Sequence, residues 1–237
     1  MAIESKNPAN NDSLVGVFNE VLRKFSQNTD DMLPASVLNY DRTTNRADVM
    51  PLIQLVDTDG MVYNRAAFSN VPVLLLGGGE FFVSFNLPQG SLGWIKANDR
   101  DLSLFLQEFV NNRPNTNRLH TFEDAMFIPD IMTGYTINSE DSSAALIQNK
   151  AGTVRISLTD ARIKMTAPQI EINAPQSVIN ATTSLTINSP STTITGDSME
   201  VTTGTLTHNS VNVGDDHAHD QDPDSAGNTE QRTSGPS

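Results

Sequence analysis

Residues 163–213 read IKMTAPQ, IEINAPQ, SVINATTS, LTINSPS, TTITGDS, MEVTTGT, LTHNS, VNV, and this stretch decides the architecture. Apolar residues recur as i, i+2 pairs: Ile163/Met165, Ile170/Ile172, Leu185/Ile187, Met199/Val201 and Val211/Val213. Turn elements separate them at Ala167-Pro168, Ala174-Pro175, Ser189-Pro190, Gly196-Asp197 and Gly204. The repeat is about seven residues, with one longer step near 178–185.

Seven is also the coiled-coil period, and that rival fails. Pro168, Pro175 and Pro190 would each break an interior helix hydrogen bond at a cost of about 3 kcal/mol or more. The segment is β-branched and poor in helix formers. Pairing at i, i+2 is the strand period. Each repeat therefore reads as a strand of about five residues and a two-residue corner.

Such a strand offers two apolar side chains, and nothing in this stretch of the chain covers them. A one-chain solenoid takes longer repeats, because each coil must go fully round. Seven residues span roughly a third of a turn of a triangular prism, so three chains would complete it. The expectation is an intertwined homotrimer over 136–213, sharing its core between chains. A single-chain solenoid and a disordered Ser/Thr-rich stalk are the alternatives.

The repeat runs into VNVGDDHAHDQD, residues 211–222. In a strand His217 and His219 project from one face. On one chain they are two ligands; on a threefold axis they are six imidazoles. Six nitrogens suit an octahedral first-row divalent metal, whereas structural zinc takes four ligands. Asp215, Asp216 and Asp220 could accept the second ring N–H of each histidine. A filled octahedron leaves no position for substrate, so the ion would be structural. In isolation, an H-x-H is two solvent-exposed histidines. His208 falls at a corner or polar layer and is not expected to ligate, and His120 is expected to be structural.

Composition narrows the function classes. The 237 residues carry a formal net charge of −13, which disfavours a phosphate backbone as partner. Cysteine is absent, excluding disulfides and thiolate chemistry. The start, MAIESKNPANNDS, lacks a signal-peptide pattern, and the apolar run VPVLLL at 71–76 is too short to span a bilayer. Synthesis in the cytoplasm is expected.

Upstream, Leu14, Phe18, Val21, Leu22 and Phe25 sit at helical spacing, predicting an amphipathic helix over 13–27 capped by Asp12 or Ser13. It could pack on its own domain or dock a partner. LPASVLNYD, RADVMPLIQLVD, VYNRAAF, VPVLLLGGGEFFVSFNL and GSLGWIKAND read as strands between turn signals. They predict a small closed or nearly closed barrel within 32–135. NDRDLSLFLQEFVNN reads as a short helix starting at Asp99 or Asp101, and RLHTFEDAMFIPDI as an irregular exit. LLGGGE at 75–80 lacks the Gly-Lys-Ser/Thr ending of a phosphate loop and reads as a strand-linking loop. No Ser-His-Asp or Cys-His signature occurs, and no enzyme activity or small-molecule substrate is expected.

VPV, the triple glycine with its following strand, Pro-x-Gly, NDRDLSLFL and RLHTFEDAMFIP together resemble the N-terminal domain of phage membrane-puncturing spikes of the Gp138 type. These are relatives of the baseplate assembly protein V spikes. The resemblance covers about 35–130; the repeat and the H-x-H match the remaining half independently. It implies an OB-fold barrel and a triple-stranded β-helix needle at the tip of a contractile tail. It also implies one iron ion per trimer, held octahedrally by His217 and His219 of three chains.

The resulting expectation is all-β with one or two short helices. It has an N-terminal segment (1–31), an OB-fold domain (32–135), a trimeric β-helix (136–213) and an apex (214–237). The implied place is the virion, at the tail baseplate tip. The implied partners are baseplate hub proteins and, transiently, the host outer membrane. A trimeric tail-fibre tip or adhesin, and the spike of a bacterial contractile injection system, are the rival structural readings. A non-haem iron oxygenase using both histidines and Asp215 or Asp216 is the enzymatic one.

Overall fold

Alternating apolar residues set the barrel strands in the computed structural model, which describes residues 13–56, 59–202 and 204–214. Strand β1 is Met32–Asp41 and β2 is Arg46–Pro51. A small hairpin, β3 (Leu55–Val56) with β4 (Val62–Tyr63), follows. Next come β5 (Phe68–Pro72) and a second hairpin, β6 (Leu76–Gly78) with β7 (Phe81–Val83). Strands β8 (Leu92–Asn98) and β9 (Thr121–Pro129) complete the region.

Five of these form one antiparallel sheet in the order β5-β2-β1-β8-β9. Every second residue points inward: Ala35 and Val37 from β1, Ala47 and Val49 from β2, Ile95 and Ala97 from β8. Phe127 of β9 is fully buried among them, and Phe68 meets Phe122 edge-on with ring centres 5.5 Å apart. The sheet ends then meet. Val73, one residue past β5, bridges Phe127 in parallel sense, and the Leu74 N–H donates to the Phe127 carbonyl at 2.8 Å. One parallel seam in an otherwise antiparallel five-stranded sheet makes a nearly closed, OB-like barrel. At Gly93 a Cβ would lie 2.4 Å from the Phe127 ring and from the Ile128 carbonyl oxygen, so this position admits no side chain.

Two expectations are corrected here. The segment expected to be an irregular exit is β9, which carries the most deeply buried aromatic of the barrel. Its inward set is Phe122, Asp124, Ala125 and Phe127, because a register shift between Lys96 and Asn98 of β8 breaks the alternation. The second helix, α2, is only Phe105–Glu108. Asp101 does not begin it; its carboxylate accepts from the Ser103 N–H (2.8 Å) and the Thr116 hydroxyl (2.6 Å). By contrast, the first helix, α1 (Leu14–Asn28), forms as expected, with the Ser13 hydroxyl accepting from the Gly16 N–H at 3.0 Å.

After the barrel, β10 (Ala145–Gln148), β11 (Arg155–Thr159) and β12 (Arg162–Thr166) make a three-stranded antiparallel meander. The chain separates into two units at Ile172/Asn173. In the second unit, β13 (Thr207–His208) and β14 (Val211–Asn212) form a tight hairpin. Its two turn residues, Asn209 and Ser210, both have positive φ, 49° and 65°, the signature of a type I′ turn.

Candidate functional site

The meander is built inside out. Its registered rows are Ala145–Leu158–Ile163 and Ile147–Ile156–Met165, all on one face. That face is open: Ile147 is 70% and Ile163 72% exposed. The opposite, polar face is the covered one. A 3₁₀ turn, Ser139–Asp141, lies against it. There the buried Asp141 carboxylate accepts from the Ser157 hydroxyl (2.7 Å) and Arg155 Nε (2.6 Å). Glu140 pairs with Lys164 at 2.8 Å and also with Arg155. The Ser157 hydrogen bond leads in holding the Asp141 carboxyl below the usual range, against the opposing effect of burial.

The same exposure continues down the sequence. Residues 168–202 are all exposed, and none of them lies in a helix or strand. The paired positions Ile170/Ile172, Leu185/Ile187 and Met199/Val201 are each more than half exposed. These residues, with Ile163 and Met165, are the ones the seven-residue spacing singles out. Runs of exposed apolar side chains on this scale mark an association surface.

A second polar cluster belongs to the barrel. Arg118 reaches Asp124 at 3.0 Å, Glu123 at 3.1 Å and the buried Asp101 at 3.4 Å. Hydrogen bonds from Thr116 and Ser103, then the Arg118 charge, hold the Asp101 carboxyl far below its ordinary range. The contacts of Arg118 with Asp124 and Glu123 tie the 99–120 segment, which contains α2, to β9.

Of the histidines singled out in the sequence, His217 and His219 lie outside the described residues. His208 is exposed at the start of the β13–β14 turn. His120 is half-exposed beside Asp99, 3.7 Å away. Among the described residues, no group of three or more His, Cys, Asp or Glu side chains could hold a metal ion. Likewise, no helix there is long and apolar enough to cross a membrane. Leu76, Phe81 and Phe82 on the β6–β7 hairpin are exposed, an apolar surface that the sequence pattern presented as ordinary strand.

The barrel also carries a family signature: residues 33–130 match the model of the phage protein Gp138 N-terminal domain. This segment is similar to that family's domain. The matched boundaries coincide with the observed barrel, from the second residue of β1 to the residue after β9. The matched segment is thus a five-stranded OB-like barrel, with α1 before it and the inside-out meander after it. Comparison with curated proteins gives no match.

Proposed function

We propose that this chain is a structural component of a phage virion, a homotrimeric spike at the tip of a contractile tail baseplate that punctures the host outer membrane. The observation that carries it is the inside-out meander, whose exposed apolar face continues in sequence into seven-residue repeats that one chain leaves uncovered. Three copies would turn these faces toward a common axis and satisfy the repeats' backbone groups between chains. The Gp138 N-terminal domain supports the phage setting and would dock on the baseplate hub proteins. A prism hydrogen-bonded along its length is stiff, and sheath contraction would supply the force.

At the apex, His217 and His219 of three chains would hold one iron ion octahedrally. The ion ties three chain ends together and takes no part in a reaction, so the role is mechanical and not enzymatic.

Light scattering tests the reading directly. The purified chain should have three times the monomer mass and should migrate as a trimer in SDS without heating. A monomer in solution overturns it.

A further inference from the structure

Helix α1 presents a hydrophobic seam that its own domain does not use. Leu14, Phe18, Val21 and Phe25 follow each other at steps of four, three and four, the d-a-d-a spacing of a coiled coil. All four are exposed, from 57% at Val21 to 74% at Leu14. None belongs to the barrel core. Val17 and Leu22 flank the seam and are exposed too, which makes the stripe wider than a two-stranded contact requires. The ion pair Glu20–Arg23 (2.6 Å) lies on the opposite face.

An isolated helix of this length is marginal in water, so the stripe needs a partner. The attachment to the barrel narrows the choice. Only Thr29, Asp30 and Asp31 separate α1 from β1. These links are pinned: Arg65 pairs with Asp30 at 2.5 Å, Lys96 pairs with Asp31 at 2.8 Å, and the Ala97 N–H donates to the Asp31 carbonyl at 2.8 Å. Copies of the barrel brought together in parallel would therefore present their helices at the same height and in register. That arrangement is the one a parallel coiled coil needs.

We infer that the occupant of this seam is the same helix of two neighbouring copies, forming a parallel three-helix bundle ahead of the barrels. This rests on the trimeric reading above and adds a second, independent self-association element to it.

The chain has no cysteine, so single-cysteine variants report on the seam cleanly. Full-length Phe18→Cys and Val21→Cys, in the seam, are treated with a short bis-maleimide, alongside Asn19→Cys on the outer face. Light scattering is run on each variant. The expected result is a trimer in all three. Covalent dimers should take up as many as two of every three chains in the seam variants and few in Asn19→Cys. A trimer whose seam variants do not cross-link overturns the bundle while leaving the trimer intact, and then assigns the seam to another protein. Equal cross-linking at Asn19 overturns the register. A monomer overturns both proposals.

Discussion

The Leu74 N–H and the Phe127 carbonyl, 2.8 Å apart, join the first and last edges of the five-stranded sheet. The accepting residue also carries the most buried aromatic ring of the barrel. Closure and core packing therefore depend on the same residue. Phe127→Ala should destabilise the barrel by about 3–5 kcal/mol, read as a lower urea midpoint. A loss below about 1 kcal/mol, typical of surface positions, would contradict the placement of this side chain.

Gly93 faces that ring from β8. Gly93→Ala puts a methyl group 2.4 Å from the ring and from the Ile128 carbonyl, and should cost roughly 1–3 kcal/mol or more. The combination Gly93→Ala/Phe127→Leu should recover part of the loss, because removing the ring edge frees space. A double-mutant cycle in urea unfolding checks it.

Acid should weaken the first unit. The Asp101 and Asp141 carboxyls are both depressed in the folded state, by hydrogen bonds from Thr116 and Ser103 in one case and from Ser157 in the other. The unfolded chain then binds more protons on acidification. Their contribution is complete above the ordinary carboxylate range near pH 4 and is lost as pH falls through the lower folded values. Urea midpoints should drop below about pH 4, and Asp101→Asn should flatten that slope while lowering stability at neutral pH. An unchanged slope in this variant would remove Asp101 from the account.

Ile187 tests the shared needle. Ile187→Asp would bring three carboxylates toward one axis, where unpaired charge is costly. Resistance to SDS should disappear while the barrel keeps its near-ultraviolet circular dichroism. A fully SDS-resistant trimer would show that this position does not face the axis.

Elemental analysis tests the apex. One iron per three chains is expected, lost in the double variant His217→Ala/His219→Ala with the trimer retained. One metal per chain would replace the axial site with a different one.

Sequence made the regular parts of this fold legible. In β1, β2 and β8 the alternation is unbroken over the inward positions, and the strands lie where it predicts them. In β9 the inward Asp124, held by Arg118, and the adjacent pair Asp124 and Ala125 disguise the period. The triple glycine, read as a strand-linking loop at 75–80, does join two strands: β6 and β7 pair across a tight turn at Gly79 and Glu80. The meander escaped for another reason: Ser157 and Asp141 are covered while Ile147 and Ile163 are open, the reverse of the pattern that marks a domain core. The apolar pairs of the repeat were legible as spacing, and among the described residues they are left exposed. The histidine pair was legible as chemistry, and its geometry lies outside the described residues.

Among the described residues, none of 168–202 lies in a helix or strand, and in the proposed trimer that would set the order of events during biogenesis. A barrel closed by its own strands can fold at a rate independent of concentration. A segment completed only by other copies cannot; its folding becomes a collision process, slow when newly made chains are dilute. Tethering three chains at one end raises the local concentration of the remainder to the millimolar range. In the proposed spike, the barrel domain would thus also serve as the template on which the needle is wound.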